Sequence, residues 1–429
     1  MKRRDFLLSA GAWVSAGAAL SSVTAAAVAA PASAGRAAPG PSVPVITPNG
    51  WSLPSRWVKG AREFHLVAEE VRHEFGPGSV ARCWGYNGGT PGPTLEAIQG
   101  ETVRLYVTNK LPEPTTVHWH GLRLPCGMDG VAGLTQPAIP PGATFVYEFE
   151  LSDAGTFMYH PHANEMTQMA LGLMGMFIVH PQGGDPAPVD RDYVFLLHNW
   201  ALPPGSERPD PSVMTDFDLW TMNGKVFPSI DPVVAATGER VRIRLGNLSM
   251  WNHPMHMHGV HFDVTGNEAG RWPSAQWRRE VTEIVAVGQT RDLEFDAVAG
   301  DWAFHCHMSH HTMNAMGHEI TNPVGVQQQD LQGQFDRLLP GHMAMGDGGM
   351  IEHQQHVEAG HMPGPPNTLA MMAGHGQFGA IGMGGMMTVV KVRDGLPKGS
   401  TADPGHYRHP AGTVARAVQQ APPLVRRPQ

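Results

Sequence analysis

A chain of 429 residues can hold two or three ordinary domains with a full apolar core, so a fold that depends on staples for its size is excluded. Gly (51) and Pro (38) together make about a fifth of it and charged residues reach only 16%, against roughly 25% in an average soluble protein, which argues against long solvated helices. The net charge of −8 contains no basic run or stripe, so a nucleic-acid partner is excluded, while 24 His and 24 Met beside 3 Cys form a ligand supply suited to copper rather than to a disulfide scaffold or an iron–sulfur cluster.

Lys2-Arg3-Arg4-Asp5-Phe6-Leu7-Leu8 opens an Ala/Ser/Val stretch that ends at Ala32-Ser33-Ala34, a small-x-small site before Gly35. Residues 1–34 are predicted to be a cleaved signal peptide. The twin arginine followed by x-Phe-Leu is similar to the Tat signal, which exports proteins already folded. Ala, Gly and Ser dominate the stretch, against a membrane anchor, and no later segment has an apolar run of membrane length. The mature chain is therefore expected to be periplasmic or secreted. In that oxidising setting Cys83 and Cys126 have two open fates, pairing or separate burial.

Further along, the stretches from Thr102 to Thr108, Thr144 to Leu151, Val241 to Leu245 and Thr290 to Phe295 alternate with period two between Pro/Gly turns, as half-buried strands do. They belong to a duplication. Gly100-Glu101-Thr102-Val103-Arg104-Leu105 leads through Asn109 to His118-Trp119-His120-Gly121, and Gly238-Glu239-Arg240-Val241-Arg242-Ile243 leads through Asn247 to His256-Met257-His258-Gly259 at the same offsets. Gly155-Thr156-Phe157-Met158-Tyr159-His160-Pro161-His162 matches Gly300-Asp301-Trp302-Ala303-Phe304-His305-Cys306-His307 in the same way. The predicted fold class is all-β: two β-sandwich domains, at about 55–183 and 189–326, joined by the stretch from Pro181 to Pro188. From about 327 to 377 the sequence turns to Gly, Met, His and Pro without periodicity, an insertion or mobile loop. Ile381-Gly382-Met383-Gly384-Gly385-Met386-Met387-Thr388-Val389 then echoes Leu171-Gly172-Leu173-Met174-Gly175-Met176-Phe177-Ile178-Val179, so a closing strand is predicted within 378–393. The tail over 394–429 is predicted to be disordered.

The duplicated frame carries four His-x-His pairs, two in each half. Residues i and i+2 of a strand face the same way, so each pair presents two imidazoles side by side, and the four pairs can converge on a cluster of metal ions. In His305-Cys306-His307 the thiol faces the opposite side, where a second metal site can lie. His311 stands five residues after Cys306, Met316 ten after it, and His253 three before His256. Two imidazoles, a thiolate and a weak axial thioether are the ligands of a blue-copper electron-transfer site. Met383 and Met386 compete with Met316 for the axial place. In the first half the corresponding positions are Thr115, Pro161, Met166 and Leu171, so no such site can form there.

With Trp84-Gly85-Tyr86-Asn87, Pro91-Gly92-Pro93-Thr94, His118-Trp119-His120-Gly121, His160-Pro161-His162, His253-Pro254-Met255-His256-Met257-His258-Gly259 and His305 to Met316, the chain resembles the multicopper oxidases across roughly residues 60–326. More narrowly, it is similar to the two-domain, laccase-like enzymes of bacteria. The resemblance implies cupredoxin-like sandwiches and four coppers per chain. Type 2 copper would sit on His118 and His256, the type 3 pair on His120, His160, His162, His258, His305 and His307, and type 1 copper on His253, Cys306, His311 and Met316. It also implies a homotrimer, with each three-copper cluster shared between domain 1 of one subunit and domain 2 of the next.

On that resemblance a phenolic, aromatic amine or metal-ion donor gives single electrons at the type 1 site, Cys306 relays them, and four reduce dioxygen to water. Asp129, in Met128-Asp129-Gly130, matches the acidic residue placed near the type 2 water channel. Where some relatives carry a proton-delivering glutamate, this chain has His310. Nine Met and five His fall between His342 and Met387, and this soft-ligand run suggests cuprous ion as a donor beside a plain packing role. Two other functions fit parts of the pattern: a copper nitrite reductase, and a copper-binding or storage protein without catalysis.

Overall fold

Period-two burial runs along Thr102–Asn109, where Val103, Leu105, Val107 and Asn109 point inward and the residues between them stay half-exposed. The computed structural model describes residues 43–203, 205–215, 217–314, 369 and 374–419. The signal-like segment, nearly all of the 327–377 insertion and Met316 lie outside the described residues. In the first half the strands are β1 (Val45–Ile46), β2 (Arg56–Val58), β3 (Ala61–Gly76), β4 (Ser79–Tyr86), β5 (Leu95–Ile98), β6 (Thr102–Asn109), β7 (His118–His120), β8 (Thr144–Glu150), β9 (Gly155–His160) and β10 (Gly175–His180). In the second half they are β11 (Arg191–Trp200), β12 (Leu219–Met222), β13 (Val233–Ala236), β14 (Arg240–Asn247), β15 (His253–Met257), β16 (Phe262–Asn267), β17 (Gly270–Arg271), β18 (Arg278–Glu280), β19 (Thr282–Val285), β20 (Thr290–Asp296), β21 (Gly300–Cys306), β22 (Gly374–Gly376), β23 (Gly379–Ile381) and β24 (Met387–Arg393).

Each half is a sandwich of two sheets around its own core. In the first, β2-β3-β6-β8 with β4 on β3 faces β5-β10-β9-β7 across Phe64, Leu66, Leu105, Trp119, Tyr147 and Phe177. In the second, a sheet built on β11-β14-β20-β16 faces β13-β24-β21-β15-β19 across Phe195, Ile243, Leu293, Met255, Phe304 and Val390. The pairings repeat: β6 runs parallel to β3 and antiparallel to β8, as β14 does to β11 and β20. Likewise β10 lies parallel to β5 and antiparallel to β9, as β24 does to β13 and β21.

The closing strand therefore comes from beyond the insertion, but in another register than the motif suggests. Phe177 pairs with Phe157, and the residue facing the equivalent Trp302 is Val390, three places after Met387, the residue the echo aligns with Phe177. Gly384, Gly385 and Met386 are used before the strand starts, in a turn bound to the His311 loop: Gly384 N donates to Thr312 O (2.6 Å) and Met386 N to His311 O (2.9 Å).

The two sandwiches pack through Met158, Met174, Met176 and Ile178 against Val194, Leu196 and Leu248. Gly246 is needed here, because a Cβ on it would stand 2.7 Å from Met176 Sδ and 2.9 Å from Met158 Sδ. β14 is accordingly buried on both faces, and its second face carries Arg242 and Arg244. Arg244 Nε donates to Asp192 at 2.7 Å and its Nη1 to Thr156 Oγ1 of β9 at 2.7 Å, while Arg242 Nε meets Glu294 at 2.7 Å. Buried charges are tolerated only with such pairing.

Two expectations change. Cys83 is buried and Cys126 exposed, both as free thiols, so the pairing left open does not form. The tail, predicted to be disordered, lies along the second sandwich as far as it is described: Arg191 Nη1 donates to Ser400 O (2.8 Å), Lys391 Nζ to Asp403 (2.6 Å) and Tyr407 N to Asp301 (2.9 Å). A Pro/Gly-rich segment without periodicity can form an irregular strap when hydrogen bonds along its course replace a ladder. Among the described residues no helix is long and apolar enough to cross a membrane.

Candidate metal centres

Antiparallel pairing sets the histidines against one another. β7 places His118 opposite His160 of β9, and β15 places His256 opposite His305 of β21, the same register in both halves. With the second member of each pair two residues on, four imidazoles gather on each sandwich. Ring centroids in the first quartet (His118, His120, His160, His162) lie 5.3 to 5.7 Å apart. In the second (His256, His258, His305, His307) they lie 4.9 to 5.7 Å apart.

Backbone carbonyls fix which nitrogen faces the centre. Nδ1 of His118 donates to Asp129 O (2.8 Å), that of His160 to Pro161 O (3.0 Å), that of His256 to Val281 O (2.7 Å) and that of His305 to Cys306 O (2.8 Å). A neutral imidazole with its proton at Nδ1 keeps a lone pair at Nε2, the arrangement that outer partners impose on metal ligands. Burial first, then the neighbouring imidazoles, pushes His160 down to about 3, so its ring stays neutral. Asp129 also brings Oδ1 to 3.4 Å from His118 Nδ1. Its carbonyl is held there by Gly130 at φ +86°, where a Cβ would lie 1.9 Å from Val117 O.

The two quartets do not meet within one chain: among the described residues no ring contact joins them. The first lines a cavity of about 650 Å³ together with Glu165, Met169, His198, Met250 and Gly288. The second opens outward, with His258 and His307 exposed, His256 half-buried and His305 buried.

On the opposite face of β21 from His305 lies a separate triad. Cys306 Sγ is 3.7 Å from His253 Nδ1 and 3.4 Å from His311 Nδ1, and the two nitrogens are 3.1 Å apart. Ligands about 2.0 to 2.3 Å from one ion at open angles are spaced in this way. Burial foremost lowers His253 to about 3 and His311 to about 2, leaving neutral rings with free lone pairs, and raises the Cys306 thiol to about 12. A soft cation that displaces the thiol proton fits this donor set. His311 is fully buried and its Nε2 has no hydrogen-bond partner among the described residues. Trp220 lies flat on its ring (centroids 3.6 Å, planes at 23°), with His310 and Trp251 edge-on to Trp220.

Ten of the twelve expected ligands thus stand in these groups beside Cys306, and Met316 lies outside the described residues. Of its rivals, Met386 is buried and accepts Cys306 N–H at its carbonyl (3.0 Å), and Met383 is half-exposed. In the first half Thr115 is instead bonded to Gln168 (2.6 Å), and Met166 is exposed. The sequence reading missed Trp220 and the orienting carbonyls. Trp220 lies on β12, outside the strands whose repeat was read, and carbonyls leave no signature in side-chain identity.

Both halves find relatives. Residues 68–184 and 204–326 each match a family model described as multicopper oxidase. Copper resistance protein A of Escherichia coli is 41% identical over 149 residues, 35% of this chain and 24% of that protein. A probable nitrite reductase-hydroxylamine oxidoreductase fusion protein of Kuenenia stuttgartiensis is 28% identical over 274 residues, 60% of this chain and 31% of that one. The chain spans between about a quarter and a third of the length of such curated relatives. Among solved structures, the blue copper oxidase from Nitrosomonas europaea superposes with a TM-score of 0.55 at 26% identity, over 77% of this chain and 85% of that one. One family's pattern thus runs through both halves, in sequence and in the register that gathers the imidazoles, and the chain belongs to the multicopper oxidases.

Proposed function

We propose that this chain is a two-domain, laccase-like oxidase that couples four one-electron oxidations of a phenolic, aromatic amine or metal-ion donor, cuprous ion included, to the reduction of dioxygen to water. The observation that carries the reading is the triad of His253, Cys306 and His311, whose Cys306 ends β21 between His305 and His307 and so sets the triad back to back with the second quartet. His253, Cys306 and His311, with Met316 as axial ligand, would hold type 1 copper; His118 and His256 type 2; and His120, His160, His162, His258, His305 and His307 the type 3 pair. Bound copper supplies one-electron acceptance at the triad and four-electron reduction of dioxygen at the paired imidazoles.

The protein's own share is geometric. Cys306 joins the two sites covalently through the backbone to His305 and His307. Trp220 seals His311, so a donor reaches the triad across Trp251 or His310 rather than by touching the ligand. Asp129 keeps a carboxylate beside His118 that accepts and releases a proton at Oδ1.

Half of an eight-imidazole cluster on each of two separate surfaces favours assembly between chains, as in a homotrimer. Exposed apolar side chains flank both quartets: Leu134 and Met166 by the first, Val281 and Ile284 by the second. The N-terminal signal supports a periplasmic or secreted enzyme exported by the Tat route, with copper as cofactor.

The test is metal quantitation with visible and EPR spectra of the purified protein, followed by oxygen uptake on a phenolic donor. Four coppers per chain, a thiolate–copper absorption and oxygen uptake are expected. A second reading, nitrite reduction, draws on the Kuenenia relative and predicts two coppers per chain and nitrite turnover. A fully loaded protein that consumes no oxygen with any donor is a copper-binding protein instead.

A further inference from the structure

Asn109 and Asn247 hold the same place in the two halves and make the same three hydrogen bonds. Asn109 Nδ2 donates to Glu113 O (2.8 Å) and Ile139 O (2.9 Å), and its Oδ1 accepts Leu111 N–H (2.9 Å). Asn247 Nδ2 donates to Trp251 O (2.8 Å) and Val285 O (2.9 Å), and its Oδ1 accepts Ser249 N–H (2.9 Å). The frame is copied, but the residue caught by it is not: Leu111 in the half without a triad, Ser249 in the half with one. At the place of His253 the first half has Thr115, whose hydroxyl turns to Gln168.

Ser249 is 2% exposed, and its Oγ lies 2.7 Å from His253 Nε2, 2.7 Å from Asn247 Oδ1 and 2.8 Å from Trp251 O. The last two oxygens only accept hydrogen bonds, so the single hydroxyl proton goes to one of them. Oγ is left to accept from His253, which must then carry its proton at Nε2. That leaves Nδ1 as a bare lone pair, on the side where Cys306 Sγ and His311 Nδ1 lie. Among the described residues His311 has no such support at Nε2, and the face of Trp220 holds its ring.

We propose that Ser249 is a positioning residue for the triad: it fixes the tautomer and angle of His253 and, through that hydrogen bond, sets the donor strength of one imidazole and not the other. The inference rests on the reading of the triad as a type 1 copper site. Donating its Nε2–H to Ser249 Oγ makes the His253 ring a better ligand at Nδ1 and favours the cupric state, so losing that hydrogen bond raises the reduction potential and weakens metal retention.

The experiment compares Ser249→Ala and Ser249→Thr with the unmodified holoprotein by copper release to a chelator, EPR and visible spectra, and the reduction potential of the thiolate-bound copper. In Ser249→Ala that copper is expected to be held roughly ten-fold less tightly. Its potential rises and its EPR splitting changes, with the copper of the quartets retained. Ser249→Thr, which keeps the hydroxyl, stays near the unmodified protein. Unchanged retention and potential in Ser249→Ala overturn the proposal, as does a Ser249→Thr protein as impaired as the alanine variant. Should Ser249→Ala not fold, Ser249→Cys, close in size and a weak acceptor, replaces it under the same criteria. An unmodified protein that shows no thiolate–copper absorption when loaded refutes the functional reading itself, before any variant is made.

Discussion

Cys83 and Cys306 are both buried thiols, and burial pushes both up to about 12. What separates them is company: Cys83 packs among Val71, Phe75 and Trp200, Cys306 against two imidazoles. Replacing Cys306 by Ser is expected to remove one copper per chain and the thiolate absorption, and to lower oxygen uptake by on the order of 100-fold. Cys83→Ser should leave copper content unchanged, and metal analysis of the two variants checks both outcomes. Gly130 offers a subtler handle. An alanine there is strained at φ +86° and collides with Val117 O, so the Asp129 carbonyl must move away from His118. Gly130→Ala should lower copper occupancy of the first quartet with the triad spectrum intact, as selective metal titration would read. At this scale the sequence disclosed which histidines and which cysteine the fold gathers, because strand spacing and duplication act on side-chain identity. It concealed Ser249 and Trp220, whose roles come from a bond and a stacking made in three dimensions, although Leu111 opposite Ser249 in the duplication was a visible clue.

Among the elements, β24 decides whether the second sandwich closes. It fills the place between β13 and β21 that β10 fills between β5 and β9, and its amide and carbonyl rows serve both neighbours. Ending the chain before Met387 would bare two strand edges and the core beneath Val390 and Val392, so insoluble or unfolded protein is expected. Ending it after Asp394 removes only the strap, and circular dichroism melting should show a folded protein with a small loss of stability. The duplicated sandwiches and the existence of a closing strand followed from the repeat, whereas the register of β24 did not: a Gly/Met echo aligned by letters ignores the three residues taken up by the turn on the His311 loop. Where β10 meets β14, Gly246→Ala should cost roughly 1 to 3 kcal/mol in urea unfolding, since Met158 and Met176 have to move apart.

For the molecule as a whole, acid is the weak side. Burial, the largest cause in each case, holds His73 and His198 down to about 4. An unfolded histidine takes its proton near ~6.5, so between there and about 4 the unfolded chain binds more protons than the native one. Stability therefore falls as pH drops through that window and levels off below it, by about 1.4 kcal/mol per pH unit for each such ring. His73→Phe should flatten the slope by that amount, measured by urea unfolding of metal-free protein from pH 6.5 to 4.5. None of this was legible in the sequence: the count of 24 histidines says nothing of which are sealed.

The proposed trimer, with its catalytic centre shared between subunits, is open to a test by complementation. Take one inactive variant with His118 and His120 replaced and another with His256 and His258 replaced, and let the two reassemble as mixed trimers. Each cleft then draws one wall from each of two subunits, and random partnering makes about a quarter of the clefts whole again. Two dead preparations would together consume oxygen, whereas a centre closed within a single chain would stay silent at every mixing ratio.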